Sequence, residues 1–161
     1  MIYKNVIITG SHTQDAPSLG PPGDARGWDA RTGKLLWTFH SVPRPGETGH
    51  ETWLDALGKP SWQERSGVND WTTGSVDAKT GTVYMTFDSP STDLYGGDRP
   101  GNNLFGNTLV AIDALTGKMK WYFQTTHHDI WDYDEPGPPT LTDVVQNGKT
   151  IPAVIQTACE K

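Results

Sequence analysis

The architecture of this protein is indicated by the nine residues Asp29-Ala-Arg-Thr-Gly33-Lys-Leu-Leu-Trp37, because their pattern returns further along the chain. It returns in full as Asp113-Ala-Leu-Thr-Gly117-Lys-Met-Lys-Trp121, and its first five residues alone return as Asp77-Ala-Lys-Thr-Gly81. A short repeated unit cannot bury its apolar face by itself and needs stacked neighbours. The sequence therefore predicts a repeat protein.

Each copy of the motif predicts a tight β-hairpin. In the third copy, an apolar strand from Thr108 to Asp113 runs into a Thr-Gly turn, where glycine supplies the positive φ and the Asp side chain accepts N–H groups. In both full copies a tryptophan follows eight residues after the Asp, so Trp37 and Trp121 are predicted to pack between units. The middle copy has Met85 at that position, which predicts that its hairpin joins a different pair of strands.

The composition agrees with an all-β fold. The 161 residues include Gly 18 and Pro 12, and no long segment shows the apolar period of a helix. A net charge of −6 argues against a nucleic-acid partner, and a single cysteine excludes an internal disulfide. No apolar run is long enough to span a bilayer, and the first ten residues enter a strand too early for a signal peptide.

Strands are expected close to both ends of the chain, at Val6 to Thr9 and Ile151 to Gln156. The strand pattern predicts one whole unit flanked by two partial units, and the polar stretch 41–70 is expected to be an inserted loop. A propeller closes only with several blades. Residues 1–161 are therefore expected to be a partial propeller domain, truncated at both ends.

Two further stretches carry a family resemblance, namely Tyr95-Gly-Gly-Asp-Arg99 and His127-His-Asp-Ile-Trp-Asp-Tyr-Asp134. With the repeats, they resemble the eight-bladed quinoprotein dehydrogenases that use pyrroloquinoline quinone (PQQ), and most closely the glucose dehydrogenase branch. The resemblance extends to about Gln156. It implies an all-β fold that is part of an eight-bladed propeller, with about two to three blades in this chain. The repeat alone also occurs in non-enzymatic propellers, whereas the histidine-led string is more specific.

The resemblance assigns two carboxylates to the active site. Asp132 matches the catalytic aspartate, which accepts the substrate hydroxyl proton and also lies at the metal; a carboxylate suits both tasks. Asp15 matches an acidic ligand of the same ion. From the residues alone, the alternatives are a turn cap before Pro136 for Asp132 and a solvated side chain in a Gly/Pro-rich loop for Asp15.

The resemblance also assigns a third metal ligand and a cofactor contact. Ser89 falls where alcohol-oxidising relatives place an asparagine ligand, with Ser91 as the competing choice. Trp71 matches the tryptophan whose ring forms the floor under the quinone, a planar surface suited to stacking. The alternatives are ordinary turn chemistry for Ser89 and a core position for Trp71. Of His127 and His128, at most one is expected to line the site, because neighbours on a strand point to opposite faces.

The chain departs from the family pattern near its end. Cys159 stands where the family places a lysine or arginine against the quinone oxygens, and Lys161 comes two residues later. A neutral thiol supplies no positive charge there, so the chain alone is expected to be inactive. The vicinal cysteine pair of alcohol-oxidising relatives is absent, which favours the sugar-oxidising branch.

The expected function is oxidation of an aldose such as glucose, with an alcohol as the second choice of substrate. The substrate would transfer a hydride to PQQ, which lies beside a Ca²⁺ or Mg²⁺ ion. The resemblance implies a quinone or cytochrome c as electron acceptor and a periplasmic, membrane-associated intact protein. The residues also leave two other functions open. One is a non-catalytic propeller scaffold for protein binding, and the other is a carbohydrate-binding module that uses Trp53 and Trp62.

Overall fold

Ten β-strands form the regular structure of residues 1–55 and 57–158, the part of the chain that this computed structural model describes. A 3-10 helix at His50–Trp53 is the other regular element in that part. The strands are β1 (Ile2–Tyr3), β2 (Val6–Thr9), β3 (Ala25–Asp29), β4 (Leu35–Phe39), β5 (Ser75–Asp77), β6 (Thr82–Phe87), β7 (Thr108–Asp113), β8 (Met119–Gln124), β9 (Thr140–Gln146) and β10 (Lys149–Ile155).

The strands form two four-stranded antiparallel sheets and one two-stranded hairpin. The first sheet has the order β1-β2-β3-β4, the second β5-β6-β7-β8, and β9 pairs with β10. The all-β prediction is confirmed. The expectation of one whole unit between two partial ones is wrong, because both sheets have four strands. It missed β1, which is only two residues long and pairs with β2 through Ile2 and Ile7.

The repeated motif forms hairpin turns, as predicted. In the first copy, the Oδ1 atom of Asp29 accepts the backbone N–H groups of Arg31 at 3.0 Å and Thr32 at 2.8 Å. Gly33 takes a φ of 71°, in the left-handed region that favours glycine. The two full copies join the third and fourth strands of their sheets, whereas the middle copy joins β5 to β6. The middle copy therefore does connect a different pair of strands.

Trp37 joins the first sheet to the second. It is 7% exposed, its ring lies against Gly27 of β3, and its Nε1 donates to the carbonyl oxygen of Ala114 at 3.3 Å. The ring also lies against Gly117, in the turn of the second sheet. Packing between units is thus confirmed for Trp37. Trp121, the equivalent residue of the second sheet, is 42% exposed beside the β9–β10 hairpin.

The segment 41–70 crosses from the first sheet to the second and packs against the core. Within it, the side chains of Trp53 and Val68 are fully buried, and the Trp53 Nε1 donates to the carbonyl oxygen of Leu104. No helix among residues 1–55 and 57–158 has the length and apolar character needed to cross a membrane.

The long connections all lie at one end of the sheets. Because neighbouring strands are antiparallel, the connections after β2, β4, β6 and β8 leave from the end opposite to the Asp-containing turns. Segments far apart in sequence therefore meet at that end. The candidate site lies among them.

Candidate functional site

A cavity of about 200 Å³ opens among the four long connections. The segments that contribute to it follow β2, precede β5, follow β6 and follow β8. Its lining consists of His12, Asp15, Gly67, Asn69, Trp71, Asp88, Ser89, Asp93, Asp132 and Asp134. Five of these ten residues are aspartates, and none is a lysine or arginine.

Hydrogen bonds fix the connection after β2 against the segment that precedes β5. The Thr13 hydroxyl donates to the Oδ1 atom of Asn69 at 2.7 Å and accepts the backbone N–H of Gly67 at 3.0 Å. Ser11 donates its backbone N–H to the carbonyl oxygen of Asp70 at 3.0 Å. These bonds bring Asp15 and Trp71 to the same cavity.

Ser89, after β6, is held by the segment that follows β8. Its backbone N–H donates to the Oδ1 atom of Asp134 at 3.1 Å, and its hydroxyl donates to the Oδ2 atom of Asp129 at 2.6 Å. Asp129 also accepts the backbone N–H groups of Trp131 at 3.2 Å and Tyr133 at 2.9 Å. Those two residues flank Asp132, so the same carboxylate fixes Ser89 and the backbone that carries Asp132.

The structure brings all four predicted site residues together. Asp15, Trp71, Ser89 and Asp132 line the one cavity although they come from four separate connections. Ser91, the competing choice for Ser89, does not line it, because its hydroxyl donates to the carbonyl oxygen of Gln14 at 2.7 Å. The roles assigned to these residues remain predictions.

The lining includes residues that the sequence analysis missed. Asp88, Asp93 and Asp134 add three carboxylates, and His12 adds an imidazole. A signal existed for Asp134, because it lies two residues beyond Asp132 on the same stretch. Asp88 and Asp93 carried none, since each is a single acidic residue in a turn-rich segment.

Burial and mutual repulsion shape the electrostatics of the cavity. Partial burial, followed by the negative charges of Asp134, Asp129 and Asp15, raises the pKa of Asp132 above its ordinary value. Burial, with the charge of Asp132 next, raises the pKa of Asp93 to about 6. Both shifts favour the neutral acid, so these groups gain from any positive charge placed among them.

Asp88 is the most strongly perturbed lining residue. It is 3% exposed, and burial, then the charge of Asp134, raises its pKa to about 8. Its Oδ1 accepts the backbone N–H of Glu135 at 2.9 Å. Its Oδ2 is buried and has no hydrogen-bond partner among residues 1–55 and 57–158.

The donor set suits a hard cation and a planar ligand. Carboxylate, amide and hydroxyl oxygens are the groups that Ca²⁺ and Mg²⁺ bind, and the free oxygen of Asp88 beside the cavity adds one more. Trp71 is 47% exposed, which leaves part of its ring available for stacking. Within the described part of the chain, no three carboxylates or imidazoles converge closely enough to form a ready-made metal cluster.

Other expectations from sequence fall outside this cavity. Neither His127 nor His128 lines it, and the Nδ1 of His128 instead bonds to the carbonyl oxygen of Gly101 at 2.8 Å. Trp53 is fully buried, so a carbohydrate site that uses Trp53 together with Trp62 is wrong. Cys159 and Lys161, the departures from the family pattern, lie outside the described residues.

Comparison with known proteins identifies a matching family. Residues 1–160 match the family model for the PQQ glucose/ethanol/alcohol dehydrogenase β-propeller domain. Quinoprotein glucose dehydrogenase A of Acinetobacter calcoaceticus is 38% identical over 153 residues, which covers 94% of this chain and 18% of the relative. The quinate/shikimate dehydrogenase (quinone) of Acinetobacter baylyi is 36% identical over 164 residues, which covers 96% of this chain and 18% of the relative.

A solved structure agrees with the sequence matches. The quinohemoprotein alcohol dehydrogenase of Comamonas testosteroni superposes with a TM-score of 0.82 at 29% identity, over 98% of this chain and 24% of that one. The two sheets and the hairpin thus correspond to a few blades of a β-propeller. This chain spans about a fifth of the length of the curated relatives it matches.

Proposed function

This chain belongs to the family of PQQ-dependent glucose, ethanol and alcohol dehydrogenase β-propellers, and on that premise we propose that it forms part of an enzyme that oxidises a hydroxyl group. The observation that carries the proposal is the cavity itself. Asp15, Trp71, Ser89 and Asp132 come from four distant segments and line the same acidic space. The expected substrate is an aldose such as glucose, and an alcohol is the second choice.

Asp132 is the base in this proposal. Its side chain is exposed at the cavity and makes no hydrogen bond within residues 1–55 and 57–158, so it is free to accept the substrate hydroxyl proton. The raised pKa of Asp132 strengthens it as a proton acceptor, because efficient bases have pKa values closer to neutral pH. The chemistry that PQQ would supply when bound is that of an acceptor for the hydride from the substrate carbon that carries the hydroxyl group.

The other lining residues hold the ligands. Trp71 offers its ring to the flat face of the quinone, and Asp15, Ser89 and Asp132 supply oxygen ligands to Ca²⁺, with Mg²⁺ as the second choice. Such a cation offsets the repulsion among the five lining aspartates, which no lysine or arginine of the lining relieves. Because a nearby positive charge favours the ionised form of a carboxyl group, the cation also keeps Asp132 charged and able to accept the substrate proton.

The relatives act on several classes of hydroxyl compound, so they do not single out one substrate. Those described above act on glucose, on quinate or shikimate and on alcohols, as their names state, at similar identities to this chain. The missing vicinal cysteine pair favours a sugar. We further propose a quinone or cytochrome c as the electron acceptor and the periplasm as the location of the intact protein.

A non-catalytic scaffold is not favoured. Clustered carboxylates with pKa values raised by burial destabilise a fold, because each must be kept partly neutral or repelled by its neighbours. A protein-binding propeller has no need of such a cavity. A site that binds a cation explains why these aspartates are clustered.

The test is a fluorescence titration of the purified chain with PQQ in the absence of added metal. We expect saturable quenching that is lost in Trp71→Leu and retained in Trp121→Phe. Trp121 is a matched control because it is similarly exposed but lies away from the cavity. Quenching that disappears in Trp121→Phe, or never saturates in the wild-type chain, would contradict the proposed site.

A further inference from the structure

Asp129 is a buried carboxylate at the base of the candidate site, and it does not line the cavity. It is 1% exposed and accepts hydrogen bonds on both oxygens, from the Ser89 hydroxyl and Tyr133 N–H on Oδ2 and from Trp131 N–H on Oδ1. The 2.6 Å bond from Ser89 is short, as charge-assisted hydroxyl–carboxylate bonds are. Burial of such a carboxylate is tolerated only when its oxygens are satisfied in this way.

The hydrogen bonds of Ser89 leave its hydroxyl oxygen with one free lone pair. A serine hydroxyl has one proton to donate and two lone pairs that accept. The proton goes to Asp129, and the Nδ2 of Asn107 donates to the same oxygen at 3.2 Å. The remaining lone pair belongs to a side chain that lines the cavity. Ser89 therefore meets a ligand as an acceptor and has no proton left to offer it.

We propose that Asp129 is a positioning residue which commits the Ser89 hydroxyl proton to itself and so presents the Ser89 oxygen to a cation in the cavity. This inference rests on the proposed function and names a residue that governs its metal site. An acceptor-only oxygen suits Ca²⁺, which binds lone pairs and repels hydroxyl protons. A cation site built on serine depends on such an arrangement, because a freely rotating hydroxyl would turn its proton toward the ion part of the time.

The same carboxylate couples this oxygen to the proposed base. Asp132 has a φ of 61°, a left-handed conformation that is uncommon for a residue other than glycine. Its neighbours Trp131 and Tyr133 both donate their N–H groups to Asp129, which holds the backbone in that conformation. One buried group thus sets the orientation of Ser89 and the position of Asp132 together. Residues that orient ligands in this way typically change metal affinity by about 10–100-fold when they are removed.

The first measurement is hydroxyl proton exchange, followed by NMR on the wild-type chain. We expect a Ser89 hydroxyl resonance that exchanges slowly with solvent and is absent in Ser89→Ala. A purely structural role for Asp129 at the backbone N–H groups would not require this proton to be protected. Rapid exchange in the wild-type chain would overturn the inference without any variant of Asp129.

The second measurement is a double-mutant cycle for binding of Ca²⁺ alone, read by calorimetry. We expect Ser89→Ala to lower Ca²⁺ affinity about 10-fold and Asp129→Asn to lower it at least as much, because Asp129 also positions Asp132. The double variant is expected to be no weaker than Asp129→Asn alone. Asp143→Asn is the charge-matched control, because Asp143 is exposed on β9, away from the cavity. It is expected to bind Ca²⁺ as the wild type does.

Each contrary outcome counts against the inference. Additive losses in the cycle, an Asp129→Asn affinity equal to that of Asp143→Asn, or no Ca²⁺ binding by the wild type would overturn it. If Asp129→Asn fails to fold, the inference is tested by hydroxyl exchange in the wild-type chain and by the Ca²⁺ affinity of Ser89→Ala. The proposed function is judged separately by the metal-free PQQ titration, so a failed metal site and a failed quinone site are distinguished.

Discussion

The indole Nε1 of Trp37 donates a hydrogen bond to the carbonyl oxygen of Ala114, 3.3 Å away in the neighbouring sheet. The ring fills the space over Gly27 and Gly117, so one side chain packs against its own sheet and the next. Trp121 occupies the same position in the second sheet but is exposed. The repeat thus places one tryptophan at the same position of each four-stranded sheet.

Trp37→Ala is expected to lower the free energy of unfolding by about 3–5 kcal/mol, because it empties a buried site between two sheets. The matched variant Trp121→Ala, at an exposed position, is expected to cost about 1 kcal/mol. Urea unfolding followed by circular dichroism measures both. Equal losses would show that Trp37 does not join the sheets.

Stability is expected to fall as pH rises from about 4.5 to 7, partly through Glu135. This residue is fully buried, and burial raises the pKa of Glu135 to about 7. In that window the folded chain holds a proton on Glu135 that the unfolded chain has lost, so higher pH favours unfolding, by up to about 1.4 kcal/mol per pH unit. Urea unfolding at several pH values should show a smaller slope for Glu135→Gln.

Glu64→Gln is the control for that experiment, because Glu64 is exposed and loses the same charge. The two variants therefore separate burial of a carboxyl from a general change in net charge. An unchanged slope in Glu135→Gln would mean that Glu135 does not hold its proton in the folded chain.

The isolated chain is expected to self-associate. Apolar side chains are exposed on β8 and on the β9–β10 hairpin, where Phe123 is 65% and Val145 76% exposed. Strand edges with such side chains favour pairing with another chain. Sedimentation velocity over a concentration series should show association that Val145→Lys reduces. A monomer at every concentration tested would be inconsistent with this expectation.

The isolated chain is also expected not to oxidise glucose when PQQ and Ca²⁺ are supplied. It spans about a fifth of the length of its relatives, and the resemblance predicts a basic residue at the position where the sequence has Cys159. Preorganised charge at a reacting oxygen contributes roughly 2.7–4 kcal/mol in enzymes. A dye-linked assay of glucose oxidation by the purified chain measures this activity. Turnover that is lost in Asp132→Asn would show that the remaining blades are not needed.

The hairpin turns could be predicted from the repeated motif, and four residues of the cavity could be predicted from the family resemblance. Asp29 and Gly33 reveal a turn because their roles are local, and the turn is formed as predicted. The short strand β1 was missed because two residues carry no periodicity. Its existence depends on pairing with β2, which a pattern search along the chain does not detect.

The acidic character of the cavity was only partly predictable. Asp132 stood in a specific motif, whereas Asp88 and Asp93 reach the cavity through the path of the connection after β6. Asp129 lies in the same motif as Asp132, yet its role depends on a contact with Ser89, 40 residues away in sequence. Such long-range hydrogen bonds follow from the fold and are not visible in local patterns.

NMR mapping of the isotopically labelled chain tests the proposal that the cavity binds PQQ together with a divalent cation. On addition of PQQ and Ca²⁺, we expect shifts of the Trp71 indole resonance and of the backbone amides of Asp15, Ser89 and Asp132. The Trp121 indole resonance should stay in place. Shifts centred on Trp121 and the β9–β10 hairpin, or no shift at the four cavity residues, would show that the cavity is not the PQQ site.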